Sequence, residues 1–291
     1  MDFNRYYEDR QKLVNTFLEK RLEKKGISRV DEAMAYSLLA GGKRIRPIIL
    51  MATADALGVS GYNFLPVACG LEMIHTYSLI HDDLPCMDDD EYRRGRLTNH
   101  KVFGEAMALL AGDALLTLAF EVMLEQKNVP AEALIETVRE VAMCAGNFGM
   151  VGGQVIDLDS EGRQISEEEL RKLHAGKTGA LFIAAVRSGA RLSGASSEEL
   201  LALTKFADLL GLAFQITDDI LDVEGDAAQM GKAAHSDEKK HKSTYVTLYT
   251  LEGAKALAQK TVDEALSCLE MFGENAEALR EITKMMCGRK S

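Results

Sequence analysis

Long stretches of this sequence place apolar residues at helical spacing, and very few prolines interrupt them. The four prolines among 291 residues are Pro47, Pro66, Pro85 and Pro130. Two capping boxes, Ser166-x-x-Glu169 and Ser196-x-x-Glu199, begin predicted helices, and apolar side chains recur three and four residues apart over residues 200–214. No segment shows the period-two alternation of a strand. The sequence therefore predicts an all-α fold, with one domain over residues 1–291 and about ten or more helices.

Charge and composition exclude several classes of protein. The chain has 45 acidic and 34 basic residues and a net charge of −11, whereas a protein that wraps duplex nucleic acid needs a basic face. We therefore expect no nucleic-acid partner. The five cysteines form no CxxC pair, which favours reduced thiols and a cytoplasmic location. The best membrane-span candidate, residues 106–120, is interrupted by Gly112, Asp113 and Thr117 and is too short, so we expect no stable membrane insertion.

One aspartate cluster, Asp218-Asp219-x-x-Asp222, follows an apolar helical segment. Asp218 and Asp222 are four residues apart, and an ideal helix places them on one face, about 40° apart. Like charges beside each other are costly unless a counter-charge is present. Magnesium, which usually takes one or two carboxylates together with phosphate oxygens, would supply that charge. Considered alone, the cluster is equally typical of a solvated helix end.

A second cluster combines Asp82, Asp83 and Asp88 around Pro85. Asp82 and Asp88 lie about 240° apart on an ideal helix and cannot share a face if the helix continues. Because Pro85 disfavours helical geometry at the preceding residue, we expect the helix to end or deform there and Asp88 to return toward Asp82. The arginines that follow at 93 and 94 indicate either a metal site beside a diphosphate-binding pair or a salt-bridged surface.

A concentration of positive charge, Lys43, Arg44 and Arg46, follows Gly41-Gly42 in this acidic chain. Glycine lets the backbone approach an anion closely, and Lys and Arg supply charge, so the segment is a candidate anion site. The spacing of a P-loop is missing, and a basic connection between helices is the alternative. The weaker candidates are His75, Lys177, Thr178 and Gln215, although a lone helical histidine is more often structural.

Together these segments resemble the trans-type, head-to-tail isoprenyl diphosphate synthases, and the most similar branch is the bacterial one that makes farnesyl diphosphate. The matching segments are residues 41–47 (GGKRIRP), 72–95 (EMIHTYSLIHDDLPCMDDDEYRRG), 112–115 (GDAL), 149–157 (GMVGGQVID), 174–179 (HAGKTG), 214–222 (FQITDDILD), Lys232 and 242–245 (KSTY). They span essentially the whole chain in the order of the family. The resemblance implies a helical bundle around a deep central cavity, and a homodimer.

The resemblance also implies roles for individual residues. The two aspartate motifs would face each other across the cavity and hold three magnesium ions, with Asp82, Asp88 and Asp218 as ligands. The aspartates implied to orient bound water are Asp83, Asp219 and Asp222. The implied allylic diphosphate site comprises Arg93, Lys177, Thr178, Gln215, Lys232 and Lys242, and the implied isopentenyl diphosphate site comprises Lys43, Arg46, His75 and Arg94. The implied catalytic residues are Asp82, Asp88, Asp218, Lys177 and Gln215.

The implied activity is the magnesium-dependent condensation of isopentenyl diphosphate with dimethylallyl and geranyl diphosphate to give farnesyl diphosphate. Tyr77 and Ser78 are implied to set product length, although a helical wheel alone places Ser78, not Tyr77, under Asp82. Cys86 also occurs among the twenty-carbon synthases of the branch, so geranylgeranyl diphosphate is the alternative product.

Two alternatives come from other activity classes. A terpene cyclase usually replaces the second aspartate motif, and a non-catalytic partner subunit typically loses one motif, whereas this chain keeps both. We also expect residues 224–242 to form a loop that closes over bound diphosphate, because Lys232 and Lys242 would gain anionic partners only then.

Overall fold

The computed structural model describes residues 1–23, 28–224 and 243–288. Lys232, Lys242 and the expected closing loop beyond Glu224 lie outside the described residues. Within the described ranges the chain forms thirteen α-helices, which confirms the predicted all-α class. They are α1 (Phe3–Leu22), α2 (Arg29–Leu38), α3 (Ile45–Ala56), α4 (Leu65–Asp82), α5 (Asn99–Phe103), α6 (Glu105–Leu124), α7 (Ala131–Ala145), α8 (Met150–Asp159), α9 (Glu167–His174), α10 (Ala180–Leu192), α11 (Ser197–Glu224), α12 (Tyr245–Ser267) and α13 (Glu277–Cys287).

Short elements connect these helices. Two 3₁₀ segments cover Gly61–Phe64 and Glu270–Ala276, and one π-helical turn, Ala175–Gly179, joins α9 to α10. A hairpin of two-residue strands, β1 (Tyr92–Arg93) and β2 (Arg96–Leu97), pairs antiparallel. Arg94 and Gly95 form its turn at φ of 53° and 73°, the left-handed backbone that a two-residue hairpin needs. The sequence analysis did not predict this hairpin, because two residues are too few to show strand alternation.

Both predicted capping boxes are confirmed. The Ser166 amide donates to the Glu169 carboxylate at 3.0 Å, and the Glu169 amide donates to the Ser166 hydroxyl at 3.2 Å. In the second box the Ser196 amide donates to the Glu199 carboxylate at 2.7 Å, and the Glu199 amide donates to the Ser196 hydroxyl at 3.3 Å. These bonds satisfy amides that the first helical turn leaves unpaired, and so they fix where α9 and α11 begin.

The core is built around α4, which packs against α6 and α3 and, at its edge, α10. Its residues are apolar nearly all round, which is typical of a helix surrounded by others. Cys69, Leu71, Met73 and Ile74 have no exposed surface. A Cβ atom on Gly70 would lie 2.9 Å from the Ala119 carbonyl oxygen of α6, so glycine favours this close contact between the two helix backbones. A buried helix of this kind gives a rigid base for the aspartates at its C-terminal end.

Two of the described helices, α6 and α11, are long and apolar enough to cross a membrane by length and composition alone. The expectation that the apolar run at 106–120 is too short is therefore wrong, since α6 extends over the 20 residues Glu105–Leu124. Gly112, Asp113 and Thr117 weaken a helix without ending it. Both helices pack on neighbours, α6 on α4 and α2, and α11 on α10 and α12. A core helix of a folded protein meets the same criterion.

Candidate active site

The first aspartate motif lies where α4 ends and the chain turns back. The helix stops at Asp82, and the Asp83 amide still donates to the Leu79 carbonyl oxygen at 3.1 Å. Past Pro85 the chain reverses, so that the Asp88 amide donates to the Asp82 carbonyl oxygen at 2.9 Å. Asp89 has a φ of 50°, the left-handed conformation that completes the reversal. The predicted return of Asp88 toward Asp82 is therefore confirmed.

Asp83 points away from solvent and binds Arg93. The Arg93 Nε atom lies 2.7 Å and 2.9 Å from the two carboxylate oxygens, and a terminal nitrogen lies 2.5 Å from Oδ1. Asp83 is 3% exposed, and this burial raises the pKa of its carboxyl group despite the arginine. Asp90 lies 3.6 Å from the same guanidinium. Asp83 thus orients the start of the hairpin, and it holds Arg93 beside the aspartate motif.

Lys177 lies on the π-helical turn and faces two aspartates. Its Nζ atom is 2.6 Å from Asp157 Oδ2 and 3.9 Å from Asp82 Oδ2. The turn is pressed against α8, because a Cβ atom on Gly153 would collide with the backbone nitrogen of Lys177. π-helical turns are rare and occur frequently at functional sites. Thr178, the next residue of the same turn, is half-buried.

The sequence analysis assigned no role to Asp157, although it lies within the matching segment 149–157. Asp157 follows Gly153 by one helical turn and therefore lies on the same side of α8. This spacing indicates a contact with Lys177 only when it is known that Gly153 packs against the π-helical turn.

The second aspartate motif approaches the same π-helical turn from α11. A Cβ atom on Gly211 would lie 3.1 Å from the Gly179 Cα atom, so the two backbones are in close contact. Gln215 and Asp218 follow Gly211 by four and seven residues, which puts them within about 40° of the same helix side. Asp218 and Gln215 are half-buried. The structure therefore brings this side of α11 to the turn that holds Lys177 and Thr178.

The other two aspartates of this motif are buried. Asp219 is 5% exposed, and its Oδ2 atom accepts the backbone amide of Tyr245 at 2.7 Å. Asp222 is 6% exposed. Because Tyr245 is the first residue of α12, Asp219 ties the start of that helix to the second motif. The family resemblance implies that Asp219 orients bound water. In the structure its carboxylate also accepts a hydrogen bond from the Tyr245 backbone amide.

The basic segment at the start of α3 contains one exposed cation, Lys43, and two arginines that are partly or fully buried, Arg46 and Arg44. Arg44 has a φ of 52° and is 2% exposed. Its guanidinium binds the Glu72 carboxylate at 2.8 Å, Asn15 Oδ1 at 2.9 Å and the Leu38 carbonyl oxygen at 2.7 Å. Arg44 is therefore a structural ion-pair residue, although the sequence grouped it with its neighbours as one patch of charge.

The implied isopentenyl diphosphate residues lie around the start of α3. Arg94 donates to the Gly41 carbonyl oxygen, and a Cβ atom on Gly42 would lie 2.8 Å from the Arg94 guanidinium, so the hairpin contacts the glycine turn. Burial, followed by the charges of Arg46 and Arg94, holds the pKa of His75 well below its ordinary value. Lys43 is exposed. The structure thus groups Arg46, His75 and Arg94, with Lys43 at the edge.

Apolar rings adjoin this group. The Arg46 guanidinium lies 5.0 Å from the centre of the Phe182 ring, which contacts Phe214 edge-on at 5.6 Å. Burial lowers the pKa of Arg46 to about 10, so the guanidinium stays charged at neutral pH. Phe182 of α10 thus contacts both Arg46 of α3 and Phe214 of α11. Phe214 directly precedes Gln215 in the sequence. A cationic group therefore borders an apolar wall.

Tyr77 and Ser78 occupy different sides of α4. Tyr77 is 6% exposed and meets the His81 ring edge-on at a centroid distance of 5.6 Å. His81 Nε2 lies 2.9 Å from the Leu109 carbonyl oxygen, and a Cβ atom on Gly112 would collide with the His81 ring. The Ser78 hydroxyl donates to the His75 carbonyl oxygen at 2.9 Å. Tyr77 is thus buried on the side of α4 that carries His81, five residues before Asp82, and His81 makes the contact with α6.

The donor set is compatible with a hard divalent cation. Among the described residues no group of three or more His, Cys, Asp or Glu side chains is close enough to hold a metal ion by itself. Magnesium commonly binds through one or two carboxylates and completes its shell with water and phosphate oxygens. A backbone hydrogen bond joins Asp82 and Asp88, so both residues lie at the C-terminal end of α4 and two carboxylates are available there. That set fits a metal that arrives together with a diphosphate.

Comparisons with known proteins agree with this geometry. The family profile described as polyprenyl synthetase matches residues 27–286. The farnesyl diphosphate synthase of Geobacillus stearothermophilus is 44% identical over 99% of this chain and 98% of its own length. The geranylgeranyl diphosphate synthase of Cyanophora paradoxa is 43% identical over 98% of this chain and 96% of its own length. The crystal structure of an FPP/GFPP synthase from Zymomonas mobilis is 36% identical, with a TM-score of 0.89 over 98% of this chain and 99% of that one. This chain therefore belongs to the polyprenyl synthetase family.

Proposed function

We propose that this protein is a prenyltransferase that condenses isopentenyl diphosphate head-to-tail with dimethylallyl diphosphate and then geranyl diphosphate, giving farnesyl diphosphate. The observation that carries the proposal is the position of Lys177, 3.9 Å from Asp82 on a turn that also contacts α11. Fixed carboxylates and a fixed ammonium in one place are what a diphosphate with bound cations requires. The similarity to farnesyl diphosphate synthases over nearly the whole chain supports the same activity.

Asp82, Asp88 and Asp218 would hold magnesium, three ions in all, and Asp222 would orient bound water. When bound there, the metal would supply positive charge against the negative charge that develops on the leaving diphosphate. Asp83 and Asp219 bind other parts of the protein. Asp83 accepts from the Arg93 guanidinium, and Asp219 accepts from the Tyr245 backbone amide. The chain thereby fixes the positions of the ligands before the substrate arrives.

The allylic diphosphate would bind Arg93, Lys177, Thr178 and Gln215, with Lys232 and Lys242 completing the set from outside the described residues. Isopentenyl diphosphate would bind Lys43, Arg46, His75 and Arg94. The lowered pKa of His75 favours the neutral imidazole, which has one ring nitrogen that donates a hydrogen bond and one that accepts. Two separate basic groups thus receive two diphosphates.

The reaction would begin when the allylic carbon–oxygen bond breaks and the diphosphate leaves with the electron pair. The isopentenyl double bond attacks the allylic cation, a carbon–carbon bond forms, and the departed diphosphate accepts the proton that is lost. Arg93 and Lys177 stabilise the charge on the leaving group. Apolar side chains such as Phe182 and Phe214 would keep water from the cation.

The proposal of a fifteen-carbon product depends on Tyr77. Tyr77 is buried five residues before Asp82 on α4, and its ring would block a longer chain. Geranylgeranyl diphosphate is the second candidate, because geranylgeranyl diphosphate synthases are about as similar as the fifteen-carbon enzymes. A regulatory, non-catalytic subunit is the remaining alternative, and the intact aspartate motifs disfavour it.

The test is incubation of the purified protein with dimethylallyl and isopentenyl diphosphates and magnesium, followed by dephosphorylation and chromatography of the alcohols. Farnesol as the main product supports the proposal, and geranylgeraniol favours the second candidate. Absence of any product, with the protein folded, would support the regulatory alternative. Asp82→Ala is the matched inactive control.

A homodimer would cover exposed apolar residues on α8 and on the turn that precedes it. Phe148, Val151, Val155 and Leu158 recur three and four residues apart, and Phe148 is 85% exposed. Neighbouring exposed apolar side chains of this kind are the surface that a second copy of the chain would bury. Val155→Asp should shift the molecular mass measured by light scattering toward the monomer, whereas Leu201→Asp, at an exposed position of α11, should not. We further propose that the protein acts in the cytoplasm.

A further inference from the structure

Asp157 of α8 binds the Lys177 ammonium more closely than Asp82 of the first aspartate motif does. The Nζ atom is 2.6 Å from Asp157 Oδ2, within hydrogen-bond distance, and 3.9 Å from Asp82 Oδ2. The Asp157 side chain is 10% exposed and that of Lys177 is 25% exposed. Little water screens this pair, so its electrostatic interaction is stronger than that of a surface ion pair.

Backbone packing fixes this arrangement. Gly153 and Gly176 are in direct backbone contact, since a Cβ atom on Gly176 would lie 2.9 Å from the Gly153 Cα atom. Asp157 lies one helical turn after Gly153 on the same side of α8, and Lys177 directly follows Gly176. The distance between the carboxylate and the ammonium therefore depends on two rigid elements, α8 and the π-helical turn.

Removal of the Asp157 charge would change where the ammonium rests. Among the described residues, Asp82 is a second carboxylate within 4 Å of Nζ, and attraction between opposite charges increases as they approach. The flexible lysine side chain can shorten a separation of 3.9 Å to direct contact. A direct ion pair at Asp82 would then compete with a divalent cation for the same carboxylate.

We propose that Asp157 is a positioning residue that holds the Lys177 ammonium back from a direct ion pair with Asp82 and so preserves the affinity of Asp82 for a divalent cation. The inference rests on the metal role of Asp82 in the proposed function. It assigns to α8 a part in metal binding without making Asp157 a metal ligand. Its distinctive consequence is that Lys177 is harmful to metal binding when Asp157 is missing.

The test measures the affinity of the purified full chain for Mn²⁺ alone, without substrate. Electron paramagnetic resonance detects the bound and free Mn²⁺. Asp157→Asn, which keeps the shape of the side chain and removes its charge, should weaken Mn²⁺ binding by about tenfold. The double variant Asp157→Asn/Lys177→Gln should bind Mn²⁺ within about twofold of Lys177→Gln, because no ammonium remains to occupy Asp82. A structural role for Asp157 would lower affinity equally in both backgrounds.

Asp159→Asn is the matched control, since Asp159 is an exposed carboxylate on the same helix and should leave Mn²⁺ affinity unchanged. Unchanged affinity in Asp157→Asn, or an equal loss with and without Lys177, would overturn the inference. Failure of the proposed metal role is a separate result: wild-type protein would then bind no Mn²⁺, or bind it as tightly after Asp82→Asn. Melting temperatures of all variants show whether each is folded.

Discussion

The backbone amide of Asp88 donates a hydrogen bond to the carbonyl oxygen of Asp82 at 2.9 Å, although six residues separate them in sequence. This bond exists because α4 ends at Asp82 and the chain reverses past Pro85. It keeps two carboxylates at the C-terminal end of one buried helix. The most direct mutational consequences concern these carboxylates and their counterpart on α11.

Asp82→Ala and Asp218→Ala should each lower turnover by several orders of magnitude while the protein stays folded. The reason is the loss of metal charge at the leaving diphosphate. Steady-state kinetics at saturating substrate and magnesium measure the effect, and circular dichroism checks folding. Asp159→Ala, an exposed aspartate at the end of α8, is the control. Near-normal turnover in either motif variant would remove that residue from the metal site.

Lys43→Ala and Arg46→Ala should raise the KM for isopentenyl diphosphate far more than the KM for geranyl diphosphate. Both residues belong to the group around the start of α3, whereas Lys177 and Thr178 belong to the π-helical turn. Lys177→Ala is the reciprocal comparison and should affect the allylic substrate more. Equal changes in both KM values would contradict the assignment of two separate diphosphate sites.

Arg44→Ala should destabilise the protein by about 3–5 kcal/mol, because it leaves the Glu72 carboxylate buried without its partner. The pair is almost completely buried, with side-chain exposures of 1% and 2%. Urea denaturation measures the free energy of unfolding. Lys43→Ala, at the adjacent exposed position, should change it by less than about 0.5 kcal/mol. Similar values for the two variants would show that Arg44 is no more structural than its neighbour.

Tyr77→Ala should extend the product from fifteen toward twenty or more carbons with the condensation retained. Removing a buried ring opens room below the aspartates, and it should also cost about 3–5 kcal/mol of stability. Tyr77→Phe keeps the ring and should keep the product length. Chromatography of the dephosphorylated products measures the chain length of the product for each variant. A folded, active Tyr77→Ala variant with unchanged product would place the limit on chain length elsewhere.

Local patterns predicted the parts of this structure that depend on nearby residues. The capping boxes at Ser166 and Ser196 and the helix end before Pro85 each follow from a few neighbouring side chains. The inward turn of Arg44 could not be predicted in this way. It depends on Glu72, which is 28 residues away and approaches only when α4 packs beside α3.

The same limit applies within the candidate site. The bond between Asp157 and Lys177 joins residues 20 positions apart on different elements. The seating of His81 against Gly112 depends on how closely α4 and α6 approach. The glycines were visible in the sequence, but their function became clear only from the backbone or ring that each one faces. The family resemblance named many site residues without supplying these supporting contacts.

The central claim is that this protein joins an isopentenyl unit to an allylic diphosphate. Mass spectrometry of the product formed from geranyl diphosphate and carbon-13-labelled isopentenyl diphosphate tests it most directly. We expect an acyclic fifteen-carbon diphosphate that contains one labelled unit and forms only when a divalent cation is added. Release of diphosphate with no label in any prenyl product, or a cyclic product derived from geranyl diphosphate alone, would contradict the account.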